Sequence, residues 1–193
     1  MNQIILAKKP YTTFNYQFTN VFSLDNCLPQ NVFSSAFYSF YIFDMDYFYE
    51  EIGWKWILAI STICKEQNLF FTSTTEENTN YTVAEIPNSL EPKEILEQID
   101  ILENESEDKK STFFLTFNEA CLFSTSGTWG MYFVNEFNFV ILAVKKDFPK
   151  PASFSNLESM SLEEFTEHFQ EWSVWLENDN IKFLKVFNKT YFE

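Results

Sequence analysis

The sequence predicts an α+β fold, an antiparallel β-meander sheet packed with about three α-helices in a single domain over residues 1–193. Three observations carry this expectation. Apolar residues recur at three and four positions in three separate stretches, the signature of helices with one buried face. Between residues 112 and 144, short aromatic and branched runs alternate with turn residues, as in a series of hairpins. A chain of 193 residues, 46% of them hydrophobic, can bury roughly 70% of its unfolded surface in one core, so neither disulfides nor a metal is required for stability.

The elements follow in chain order. The first 43 residues are dense in Phe, Tyr, Thr and Ser, a composition that prefers strands, and 11–22 shows partial alternation. Residues 31–43 are aromatic without a clean period and fit either class. From 46 to 67 the pattern turns helical, with Phe48, Ile52, Trp56, Ile60 and Ile63 as the apolar stripe. Gly53 weakens the middle of that helix by up to about 1 kcal/mol. Residues 69–75 read as the strand that leaves it. Pro92 suits the first position of a second helix over 92–103, whose stripe is Ile95, Leu96, Ile99 and Leu102. Strands are expected at 112–117, 120–124, 129–134 and 137–144, separated by Asn118 and Glu119, by Ser126, Gly127 and Thr128, and by Asn135 and Glu136. Ser161 and Glu164 form the sequence signature of a capping box, opening a helix with the stripe Leu162, Phe165, Phe169, Trp172 and Leu176. Residues 181–192 suit a final strand or helix.

Charge narrows the function. The chain has 13 basic residues, all of them lysine, against 28 acidic ones, a net charge of −15. Such a surface repels phosphate backbones, and without arginine no guanidinium fork can read guanine or clamp phosphate, so direct nucleic-acid binding is not expected. The chain's 3 glycines cannot build a glycine-rich phosphate cradle. Cys27, Cys64 and Cys121 are far apart and unpaired in pattern, and His168 is the lone histidine, which argues against a zinc or iron site and leaves no cofactor in prospect. The longest apolar runs fall far below a membrane span, and the N-terminal run of four apolar residues is no signal peptide. A cytoplasmic location follows as an expectation.

Candidate chemistry is thin. A Cys121–His168 nucleophile pair would need the two to meet in space, whereas free cysteines are usually buried and His168, beside Glu167, suits a helix surface. Asp44, Asp46, Glu50 and Glu51 read as acids at the positive end of a helix dipole before they read as a metal or glycosidase cluster. The densest acidic block comprises Glu91, Glu94, Glu97, Asp100, Glu103, Glu105, Glu107 and Asp108, against Lys93. A second acidic face comes from Glu158, Glu163, Glu164, Glu167, Glu171 and Glu177, with Trp175 at or beyond the edge of the neighbouring apolar stripe. Like charges at this density repel, a cost that a basic partner would offset.

Within residues 121–144 a strand leads through Ser126 and Gly127 to a strand opening with Trp129 and Gly130, then through the acidic turn at Asn135 and Glu136 to an apolar strand. This arrangement, in a short acidic chain followed by a Glu-rich helix, resembles the immunity proteins of contact-dependent growth inhibition and related polymorphic toxin systems. The resemblance implies a non-enzymatic, monomeric bacterial inhibitor whose partner is the C-terminal domain of a cognate toxin, in many such systems a basic nuclease. On that reading Glu94, Glu97, Asp100, Glu103, Glu105, Glu163, Glu164, Glu167, Glu171 and Trp175 are the candidate contact residues. Three other classes share parts of the pattern: an acidic mimic of nucleic acid, an interaction module with another kind of partner, and an enzyme centred on Cys121, His168 or the Asp44 and Asp46 pair.

Overall fold

The last strands of the sheet explain its architecture. β6 (Trp129–Val134) and β7 (Phe139–Val144) are buried at every position, on both faces of the pleat, so each must be covered from two sides. In the computed structural model, which describes residues 3–10, 17–23, 26–37, 39–73, 80–105, 119–146, 148, 157–174 and 179–193, helices and an aromatic-rich segment supply the two covers.

Seven antiparallel strands form one sheet. With β1 (Ile5–Pro10), β2 (Ser39–Asp44), β3 (Asn68–Ser73), β4 (Asn80–Pro87) and β5 (Glu119–Ser124), the spatial order is β1-β4-β3-β5-β6-β7-β2. The meander β5-β6-β7 is the centre, β3 and β4 pair beside it, and the two N-terminal strands close opposite edges.

One face carries α1 (Glu51–Ile63) and α2 (Pro92–Glu105). Trp54, Trp56, Ile57, Ile60, Ile95 and Ile99 share a core with Phe43, Leu69, Phe71, Leu122, Met131, Phe133, Val140 and Leu142. The expected continuous helix from 46 is instead a 3-10 turn over Met45–Tyr49 followed by α1 from Glu51. That break changes the buried register: Ile52 and Ile63, expected in the stripe, are exposed, and Trp54 and Ile57 are buried in their place. Gly53 is the contact point between turn and helix. A Cβ there would collide with the Tyr47 carbonyl and the Phe48 side chain, so glycine permits a close approach as well as weakening the helix.

The opposite face carries residues 17–37, α3 (Leu162–Trp172) and α4 (Asp179–Tyr191). A helical turn at 17–19 stands where partial alternation suggested a strand; residues 11–16 lie outside the described residues. Phe18, Val21, Phe22, Val32, Phe33 and Phe37 pack onto the sheet, and Gly130 makes that possible, since a Cβ there would run into Val21 and lie 3.1 Å from the Phe22 ring. The last segment is a helix, so the described residues hold four helices of eleven residues or more where about three were expected. α3 and α4 join through aromatic pairs: the Phe165 and Phe187 rings stack at 4.5 Å and those of Phe169 and Phe183 at 4.7 Å. Tyr191 at the end of α4 accepts the Val32 N–H at 3.1 Å and donates to the Gln30 carbonyl at 2.8 Å, which ties the layer together; burial pushes its phenol well above the ordinary value. The strand expected at 112–117 lies outside the described residues. Asn138, in the left-handed region at φ 51°, ends a 3-10 turn over Asn135–Phe137, so β7 starts at Phe139 rather than Phe137.

Candidate functional site

Burial works against thiolate formation at two of the three cysteines. Cys121 is sealed in the core, and burial, with Glu119 nearby, raises its thiol pKa well above the usual 9.0. Cys64 is half-buried and also raised, burial again outweighing the hydroxyl of Thr128 that approaches its sulfur. Neither ring nitrogen of His168 contacts a cysteine. Among the described residues, no group of three or more His, Cys, Asp or Glu side chains is disposed to hold a metal, and no helix is long and apolar enough to cross a membrane.

The two acidic faces differ in what surrounds them. On α2, Glu94 accepts the Glu91 N–H at 2.9 Å, and Glu97 pairs with Lys93 at 3.6 Å. Glu97 and Asp100 are exposed, and Glu103 and Glu105 lie on the last turn. On α3 the capping box forms as expected: Ser161 N–H donates to Glu164 Oε2 at 2.7 Å, and Glu164 N–H donates to Ser161 Oγ at 3.3 Å. The backbone bond to Ser161 first, and its hydroxyl second, hold the Glu164 carboxyl below its ordinary range. Glu163, Glu167 and Glu171 are exposed and make no hydrogen bond or ion pair with a described residue. Large apolar side chains are also exposed on this segment. Leu162 is 45% exposed, Trp172 46% and Val174 75%. Leu162 and Trp172 were expected in the buried stripe, but Phe165 and Phe169 alone fill the core from α3. Trp175 and Leu176 lie outside the described residues.

His168 is not the surface histidine the sequence suggests. Its side chain is 11% exposed, and Nε2 lies 3.1 Å from the Phe137 carbonyl and 3.0 Å from that of Asn138. Both neighbours only accept, so Nε2 carries the proton. The left-handed Asn138 presents its carbonyl to His168 and to the Met45 N–H, at 3.1 Å, while its side-chain amide donates to Asp44 Oδ1 and Asp46 Oδ1, each at 3.2 Å. Asp44 Oδ1 also accepts the Asp46 N–H at 2.9 Å. Asp44 thus caps a 3-10 turn rather than the long helix, and Asp46 lies within that turn.

These groups line one wall of a cleft of about 300 Å³ bounded by Asp44, Tyr47, Glu158, Ser159, Met160, Glu164 and His168. Its other wall is fixed by the Met160 N–H, which donates to the Ile42 carbonyl at 2.7 Å and so closes part of the outer edge of β2. Among the described residues, three carboxylates and no lysine border the cleft, and the Trp172 ring lies 6.3 Å from that of His168. Sequence reasoning placed Asp44 and Glu158 on separate surfaces and missed the cleft, because no local spacing joins β2 to α3.

No family model, curated protein or solved structure matches the chain.

Proposed function

We propose that the protein is a non-enzymatic binding protein of the immunity type, acting in the bacterial cytoplasm, which neutralises a basic toxin domain by covering its active site. The observation that carries this reading is the outer face of α3. Glu163, Glu164, Glu167 and Glu171 are exposed there, none of them neutralised by a described lysine, while Leu162 and Trp172 are half-exposed at the two edges of the buried stripe and Val174 is exposed just beyond the helix end. A half-exposed tryptophan near unpaired carboxylates is the kind of side chain that anchors a binding hot spot once a partner desolvates it. Carboxylates near it would steer a basic partner into contact and speed association. The α2 face supports the reading less, since its acids have the lysine and backbone partners described above and Ile101 is its one exposed large apolar side chain among the described residues.

The test is co-expression with the C-terminal domain of the protein encoded immediately upstream, followed by affinity capture at low and high salt. A 1:1 complex that rescues growth and associates more slowly at high salt is the expected result. Glu163→Lys, Glu167→Lys and Glu171→Lys together should weaken it far more than Glu94→Lys, Glu97→Lys and Asp100→Lys. No complex and no rescue would overturn the reading, and competition with DNA would favour a nucleic-acid mimic.

A further inference from the structure

We infer that the outer surface of the α3–α4 layer docks a second copy of this chain, giving a symmetric dimer in place of the monomer that the resemblance implies. Both helices rest on the sheet at Phe139, which meets Phe165 at 5.2 Å and Phe187 at 5.5 Å. Residues opposite these rings on each helical wheel face away from the sheet. On α3 they are Glu163, Glu167 and Glu171, and on α4 they are Lys182, Lys185 and Lys189, all exposed. Lys182 pairs with Asp179 at 3.2 Å; among the described residues no other ion pair touches either row, so the rows do not neutralise each other within the chain. Their register is set by the layer itself. The stacked pairs Phe165–Phe187 and Phe169–Phe183 show that the helices run antiparallel. Glu163 is then level with Lys189, Glu167 with Lys185, and Glu171 within one residue of Lys182. A two-fold axis parallel to the helices keeps every residue at its level while laying α3 of one copy over α4 of the other. Each carboxylate row meets a lysine row at matched heights, twice over in one isologous contact. The apolar surface fits the same operation. Asn180 Nδ2 donates to the Ser173 carbonyl at 3.1 Å, so Val174 and Ile181 close one end of the layer together. At 75% and 74% they are the most exposed large hydrophobic side chains among the described residues. Charge also selects the occupant: a basic partner satisfies α3 alone and an acidic one α4 alone, whereas a second copy satisfies both. Helices of about 17 and 20 Å offer a small face, so the dimer belongs at the weak end of specific interfaces, with a dissociation constant of roughly 1–100 µM.

The dimer does not rest on the immunity reading, although it uses the same α3 carboxylates, so a toxin and a second copy exclude each other there. Sedimentation equilibrium of the full chain tests it, from about 1 to 500 µM in roughly 0.15 M salt, where a Debye length of about 8 Å damps repulsion between distant acids but not contact pairs. Three chains are compared: the wild type, Glu167→Lys with Glu171→Lys, and Lys182→Glu with Lys185→Glu. The reversals put lysine towards the end of α3 and glutamate towards the start of α4, which suits both helix dipoles and keeps the fold; circular dichroism checks this. The wild type should dimerise as concentration rises, and each double variant should raise the dissociation constant about tenfold or more. An equimolar mixture of the two variants should dimerise as the wild type does, because every pair across the two-fold is again of opposite sign. A wild type that stays monomeric, a dimer that either reversal leaves intact, or a mixture that stays monomeric would overturn the inference. Toxin capture is read separately, since Lys182→Glu with Lys185→Glu keeps every α3 carboxylate. Capture by that monomeric variant supports both readings, capture by a wild type that never dimerises overturns the dimer alone, and a dimer without any toxin complex overturns the immunity reading alone.

Discussion

Phe165 is the most exacting test of how the α3–α4 layer is held. Its side chain is fully buried and meets four rings: Phe139 edge-on at 5.2 Å, Phe187 stacked at 4.5 Å, Phe169 at 5.9 Å and Phe192 at 5.7 Å. Phe165→Ala removes a benzyl-sized volume between a strand of the sheet and two helices. The surrounding rings are anchored from three different elements and cannot all move in, so the cost should fall in the range of about 3–5 kcal/mol. Against a domain stability of roughly 5–15 kcal/mol this is a large fraction, and it corresponds to a fall in Tm of about 6–20 °C for a chain of this size. Urea unfolding followed by tryptophan fluorescence and circular dichroism measures it. Phe165→Leu, which keeps most of the volume, should cost about 1–2 kcal/mol. A Phe165→Ala loss below about 1 kcal/mol would refute the view that this ring fastens α3 to the sheet. A lowered m-value with early loss of helix would instead show that the layer unfolds ahead of the sheet. Trp172→Ala, by contrast, should cost about 1 kcal/mol at most, because half of its side chain already faces water.

Three further outcomes follow from local geometry. Lys65 closes α1 in the left-handed region at φ 58°, with Glu66 N–H bonded to the Ser61 carbonyl at 2.9 Å and Lys65 N–H to that of Thr62 at 3.0 Å; Lys65→Gly relieves that strain at some cost in chain entropy and should stabilise by about 0.5–1 kcal/mol in urea unfolding. Under native conditions a thiol reagent such as DTNB should modify exposed Cys27 rapidly, half-buried Cys64 slowly and Cys121 only on unfolding, so rapid labelling of Cys121 would contradict its place in the core. Glu164 binds its proton less tightly folded than unfolded, so its charge adds stability above the ordinary carboxylate value of 4.5 and loses that contribution as pH falls through the lower folded value; the small advantage of the wild type over Glu164→Gln at pH 7 should shrink as the pH is lowered below 4.5.

What the sequence reveals depends on whether a segment's signal is local. The capping box at Ser161 and Glu164, the proline-led α2 and the strand at Trp129 are legible because each depends on neighbours in the chain. The α1 stripe is misread because the 3-10 turn at Met45–Tyr49 shifts the helix start, and a helical period carries no marker for such a break. Leu162 and Trp172 look like core residues by spacing, yet α3 is already filled by Phe165 and Phe169, and spacing alone does not tell a buried ring from one kept at the surface. β2 stays ambiguous because its partner β7 lies far along the chain. The cleft is invisible for the same reason: Asp44 and His168 lie far apart in the chain and come together beside the turn at Asn138.

The order in which the strands join the sheet bears on how the chain leaves the ribosome. Ile42 sits opposite Ile141, and Ile5 opposite Glu85, so both N-terminal strands emerge long before their partners exist. Each must be held off from wrong pairings until β4 and β7 are made. Topologies dominated by such distant pairings fold slowly, on the millisecond-to-second scale, and exposed strand edges are where nascent chains aggregate. A protein needed promptly, in quantity and in soluble form would gain from the self-repulsion of its −15 charge, which keeps waiting chains apart before any partner is met.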